Sequence, residues 1–409
     1  MIAILVSMLV LSRAADAAPQ TASMPAPGPA VTVRTVEGDT LAGRLSRLDE
    51  RGALLDTAGG PVSIKLGELE EIALGTEPRD ALAAPGQAIV RTVDGQLLAA
   101  EQVLAAEGQF IVITPAAGTL WLPADRVRAV VLPDRTVTPA AVETAAAEPL
   151  AARGDGNADR LVARGPGGDL MVLPGRLNGI SADRIAFHYR RQDRTVERAK
   201  VAMIVMSDAA KIDPPPGQLI LQDGSRLGFD AIRLHAGHFT LTSGAAEATG
   251  IPAERATAVL YRPAGVTYLS ELTPAEVHEA GTFDTVFTWR ADRSSGAGPL
   301  RLAGRTWPRG LGLHSRCRLT YRLQGRYRRL IAVAGIDDAA RPHGDATLAI
   351  AADGRELLAP TRLTGRDAPI PLRLDLAGAQ TLTIEVDYGE GLDVGDSVDL
   401  GDAKLIEGE

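Results

Sequence analysis

The sequence predicts an all-β chain: four small, barrel-like β repeats in two tandem pairs, followed by one antiparallel β-sandwich. Three observations carry this expectation. Near the C-terminal end, Cys317, Leu319, Tyr321 and Leu323 alternate with Arg316, Arg318, Thr320 and Arg322, the period-2 pattern of a half-buried strand. Further upstream, one unit recurs four times: a short strand, a turn with Gly38, Gly95, Gly168 or Gly224, two more strands, and an apolar step into a last strand. The spacing of the turns completes the case. Gly38 to Gly95 is 57 positions and Gly168 to Gly224 is 56, whereas Gly38 to Gly168 is 130, so a two-copy unit is duplicated in tandem.

Taken in order, Ile2–Leu11 is apolar but too short to cross a bilayer, and Ala15-Asp16-Ala17 supplies small residues for cleavage. Residues 1–17 read as a secretory signal peptide, which places the mature chain outside the cytoplasm, periplasmic or secreted, with no transmembrane helix after cleavage. Residues 18–30 are an Ala- and Pro-rich linker. The repeats span 31–75, 88–133, 158–207 and 217–262, with a linker at 134–157 holding a helical turn near Ala140–Ala147. A copy of about 45 residues buries little alone, so the copies are expected to pack in pairs as strongly bent sheets, something like Sm-like units. Residues 266–409 carry the sandwich. Its strands are read at Cys317–Leu323, Tyr327–Ile336, Ala346–Ala352, Ile370–Leu376 and Thr381–Asp387, with a last edge strand at Asp402–Ile406.

Composition narrows the function classes. The net charge of −8 argues against nucleic acid. The single cysteine, Cys317, falls on the buried face and makes no internal disulfide. No His-Glu-x-x-His, Gly-x-Ser-x-Gly, phosphate loop or nucleotide-binding glycine pattern occurs, so the chain is read as non-enzymatic.

The stretch from about Tyr268 to Ile406 resembles the NPCBM family of carbohydrate-binding modules. The matching residues include Tyr268–Leu272, Gly310-Leu-Gly-Leu-His-Ser315, Leu319–Leu323, Gly335–Asp338, Ala352–Leu357, Leu382–Asp387 and Asp402–Ile406. The resemblance implies a galactose-binding-like jelly roll that binds glycans without cleaving them. One departure stands out. The family's Asp-His-Ala-Asp-Trp run is Asp396-Ser397-Val398-Asp399-Leu400 here.

Sugar recognition needs aromatic faces and polar groups together. The candidates are His314, Trp307, Trp289, Asp337 and Asp338. The acidic C-terminal stretch reads either as a solvated loop or as a hard-cation site. On the second reading Asp337, Asp338, Asp387, Asp393 and Asp396 hold a structural Ca²⁺, which galactose-binding-like modules often carry. Two functions follow: a secreted glycan-binding protein whose repeats are spacer or assembly modules, or an envelope structural protein whose jelly roll docks a protein partner. A glycosidase is the weakest reading, because no scaffold for two facing carboxylates is evident.

Overall fold

Four glycine turns set the first two-thirds of the chain. Gly38, Gly95, Gly168 and Gly224 have φ of +82°, +86°, +86° and +82°, a conformation that a side chain resists. The computed structural model describes residues 28–75, 86–134, 137–151, 158–165, 167–207, 212–243, 246–281, 286–391 and 395–408. The signal-peptide reading lies outside the described residues. The first repeat contains β1 (Ala30–Thr35), β2 (Thr40–Asp49), β3 (Gly52–Thr57), β4 (Gly60–Lys65) and β5 (Leu69–Ala73). The second contains β6 (Ala88–Thr92), β7 (Leu97–Ala100), β8 (Gln102–Ala106), β9 (Gln109–Thr114), β10 (Gly118–Pro123) and β11 (Val127–Val131). After helix α1 (Pro139–Ala151), the third has β12 (Asp159–Arg164), β13 (Leu170–Ile180), β14 (Arg184–Tyr189), β15 (Gln192–Glu197) and β16 (Val201–Val205). The fourth has β17 (Gly217–Leu221), β18 (Arg226–Phe229), β19 (Ala231–His235), β20 (His238–Ser243), β21 (Ala246–Pro252) and β22 (Ala256–Tyr261). In each repeat the first strand pairs with both the second and the last, so the sheet bends back on itself.

The last strands do not join repeat 1 to repeat 2 or repeat 3 to repeat 4, as tandem pairs would. Repeat 1 joins repeat 4 through β5 and β22, and repeat 2 joins repeat 3 through β11 and β16. Both joints have one register: Ile72 faces Val259, and Val130 faces Ile204. All four are the fourth residue of their strands, so each pair has an approximate two-fold axis. The expectation of tandem packing followed sequence distance. The apolar last strands instead join the two inner copies to each other and the two outer copies to each other. The stretch expected as a linker is also not free: α1 lays Val142 and Ala146 against Ile89, Val131, Val162 and Met203, closing the junction of repeats 2 and 3.

The C-terminal third is a sandwich. Its strands are β23 (Val266–Tyr268), β24 (Glu276–Glu279), β25 (Arg290–Ala291), β26 (Leu300–Leu302), β27 (Arg305–Trp307), β28 (Gly310–Leu313), β29 (Cys317–Arg322) and β30 (Tyr327–Ile336). They continue with β31 (Asp345–Ala352), β32 (Arg355–Thr364), β33 (Ile370–Asp375), β34 (Thr381–Tyr388) and β35 (Val398–Glu407). One sheet runs β25-β28-β35-β30-β33, with β23 also on β35; the other runs β24-β29-β34-β31-β32. Leu319, Tyr321, Leu348, Ile384, Leu330, Leu400 and Leu405 meet between them in one apolar core. The last strand is therefore central, not an edge. It is buried from Val398 to Ile406 because its outer face is covered too.

Two bodies supply that cover. The β26–β27 hairpin places Trp307 over Gly401, where a Cβ would lie 2.6 Å from the ring. Repeat 1 covers the rest. Lys404, fully buried, bonds Asp402 at 2.9 Å and also Glu70; Arg34 bonds Glu70 and Asp402 at 2.6 Å each and Glu71 at 2.9 Å. Val36 packs on Ile331 and Ile406 beside this cluster.

Candidate functional site

The loops at one end of the sandwich gather where β28 and β24 end, β29 begins, β34 ends and β35 begins. His314 follows β28 here, 5% exposed, with Nδ1 3.4 Å from the Ser315 hydroxyl. The ring of Phe287 stacks on it, centroids 4.0 Å apart and planes 22° apart. Phe287 is itself 41% exposed, beside exposed Val286. Trp289, two residues on, is half-buried against the core, and its amide donates to Glu279 Oε1 at 2.5 Å. The guanidinium of Arg316 lies 5.8 Å from the Tyr388 ring on the same rim. The end of the sandwich thus offers an open aromatic face, backed by an imidazole and flanked by cationic and phenolic groups.

The other candidates lie elsewhere. Trp307 was expected in a loop; it is in β27, 7% exposed, with the Arg305 guanidinium 3.9 Å from its ring. It serves packing and offers no free face. Asp337 and Asp338 are tethers. Asp337 Oδ1 accepts from the Ala339 amide at 2.8 Å, and the Asp338 carboxylate accepts from Ala303 and Gly304 at 2.8 and 2.7 Å, fixing the hairpin turn. Asp399, on the outer face of β35, accepts from the Arg301 amide at 3.0 Å. Burial, with the Asp337 carboxyl next to it, pushes Asp399 up to about 9.

Of the residues expected to hold calcium, those described do not form a cluster of three or more. Asp387 is exposed on the opposite sheet and accepts from the Tyr388 amide; Asp338 is spent on the hairpin; Asp393 lies outside the described residues. Asp396 is buried beside Ser397. Among the described residues no three carboxylates, imidazoles or thiolates are placed to share an ion. Cys317 is buried in the core as expected, its thiol pushed up to about 12 by burial.

A second surface depression, lined by Leu272–Ala275, Tyr321 and Arg322, lies at the far end of β29. Five steps of strand rise along β29, roughly 16 Å, separate it from the end of the strand nearest His314. Tyr321 is buried there, so no aromatic face opens into it. Phe287 was missed in the sequence, although Val286-Phe-Thr-Trp289 is an aromatic run in a region without strand periodicity.

The end-on aromatic site sits within a stretch of known kind. Residues 265–406 match the NPCBM/NEW2 domain. A Renibacterium salmoninarum protein named "Putative endo-alpha-N-acetylgalactosaminidase" is 31% identical over 96 residues, 23% of this chain and 6% of that protein. The chain thus spans only a small part of that relative. Among solved structures, the CBM51 from Clostridium perfringens GH95 in complex with methyl-galactose is 22% identical, covering 34% of this chain and 99% of that one, with a TM-score of 0.31. The tandem CBM51 modules of the family 98 glycoside hydrolase from Streptococcus pneumoniae SP3-BS71 are 12% identical, covering 92% of this chain and 88% of theirs, with a TM-score of 0.30. Within the NPCBM/NEW2 domain Leu400, standing where the family has Trp, is fully buried in the core. In this chain the position is one of packing.

Proposed function

We propose that this chain is a non-catalytic, extracytoplasmic glycan-binding protein whose NPCBM/NEW2 domain takes a sugar against Phe287. The match over residues 265–406 carries the reading. The exposed Phe287 ring, held from below by His314, supports the place. No described helix is long and apolar enough to cross a membrane. The test is binding of the intact chain to a glycan array that includes galactose and N-acetylgalactosamine glycosides, with and without calcium. Phe287→Ala is expected to weaken binding about tenfold, the scale of one lost aromatic stack, and His314→Ala to weaken it less.

One observation favours a second reading, an envelope protein whose jelly roll docks protein. The outer face of β35 already carries repeat 1. Uniform absence of glycan binding in both conditions would leave that reading standing.

A further inference from the structure

The second repeat differs from the other three on its outward face. Strands β8, β9 and β10 align Leu104, Ile111 and Trp121 in one cross-strand row. Trp121 is 65% exposed. Counted back from the short turn before the last strand, the same position is Ser63 in repeat 1, Thr195 in repeat 3 and Gly250 in repeat 4. The matching rows are Arg47–Leu54–Ser63 in repeat 1 and Gly179–Ala186–Thr195 in repeat 3, while repeat 4 pairs Arg233 with Thr240. Only repeat 2 makes this row apolar and aromatic. No outward position on its three strands is charged; Thr119 and Gln109 lie one row to either side of Trp121, and Gln102 lies at the far end of the Thr119 row.

From this face we infer a second saccharide-binding surface, in which the Trp121 indole stacks on a ring of an uncharged glycan. Area and charge argue for that occupant. Three strands about 4.8 Å apart and two side-chain steps along each give a patch of about 10 by 14 Å. That is roughly 140 Å², against the ~800 Å² per partner of a stable protein interface. It matches the footprint of one or two sugar rings. An indole supplies the apolar face for ring C–H groups, and neutral amides and a hydroxyl supply partners for sugar hydroxyls without attracting an ion. Together with the Phe287 end of the NPCBM/NEW2 domain, the chain would grip one polysaccharide at two separated points, which raises retention by effective concentration. The two-point grip rests on the reading given under Proposed function; the Trp121 surface does not.

The test is affinity gel electrophoresis of the intact chain in gels containing galactomannan, arabinogalactan or mixed-linkage β-glucan. It is paired with iodide quenching of tryptophan fluorescence and with light scattering. Trp121 is the exposed one of the three tryptophans, so bound polysaccharide should shield the quenchable emission of the wild type. Trp121→Ala should weaken retardation about tenfold and abolish the shielding, while Trp121→Phe keeps most of both. If Phe287→Ala leaves retardation intact while Trp121→Ala lowers it, the repeat surface stands and the NPCBM/NEW2 site falls. Unchanged retardation of Trp121→Ala overturns the inference, and so does lack of retardation of the wild type by all three polysaccharides. A wild-type dimer that becomes monomeric as Trp121→Ala overturns it as well, and assigns the face to a second copy.

Discussion

The two outer faces of the sandwich are opposites. On the β29–β34 sheet the outer residues Arg318, Arg322, Glu385 and Asp387 are open or partly open to water, and each strand alternates buried with exposed. On the β35 sheet the outer residues Asp399, Gly401, Lys404 and Ile406 are buried beneath the β26–β27 hairpin and repeat 1. Charge therefore has different weight on the two sides. On the open face a charged group keeps its water, and its partner adds little. On the covered face each charge has lost its water and depends on its partner.

The largest effect should come from Lys404. Its fully buried ammonium pairs with Glu70 and Asp402, and Arg34 pairs with those two and with the half-open Glu71. Burial and Asp402 push Glu70 upward, against the pull of Arg34 and Lys404. Lys404→Ala leaves carboxylates short of a cation and should cost about 3 kcal/mol in urea unfolding. Removing Glu70 as well, in Glu70→Gln/Lys404→Ala, should return part of it, because the orphaned charge goes too. A loss as small as that of a surface pair would show that the joint is wet.

The contrast also explains what the sequence disclosed. Strand β29 was legible because Cys317, Leu319 and Tyr321 face a core made by the sandwich itself, and the four turn glycines were legible because their φ is local. Strand β35 was misread as an edge. Its outer residues are buried by partners far away in the chain: Lys404 meets Glu70, 334 positions upstream. Nothing in a local window shows that a lysine faces protein. Trp307 failed likewise: Gly and Pro beside it suggested a loop, yet the glycine that matters is Gly401, which makes room for the ring. The pairing of repeat 1 with repeat 4 was hidden because four similar last strands offer several pairings and only the folded array selects among them.

Asp399 sharpens the comparison on the covered side. Its folded value near 9 lies above the ordinary aspartate value of about 4. A raised carboxyl contributes stability that is complete below the unfolded value and declines as pH climbs toward the folded one. Asp399→Asn stays neutral throughout. Its melting temperature should match the wild type near pH 4 and exceed it by roughly 3 °C or more by pH 8. A difference constant across that range would mean that Asp399 is ionised at its place beneath the hairpin.

The smallest effect should lie on the open face, and its smallness is the point. Arg318 and Glu385 stand directly opposite on β29 and β34, with two hydrogen bonds of 2.8 and 3.1 Å. Geometry alone would rank this pair above Lys404 and Asp402. Both side chains are more than a third exposed, so water competes for each and salt screens the attraction. Arg318→Ala should cost about 0.5 kcal/mol at low ionic strength and close to nothing in about 0.5 M salt. The Lys404→Ala loss should persist across the same salt range, since ions do not enter a buried joint. If both losses fell together with salt, burial would not be what separates the two faces.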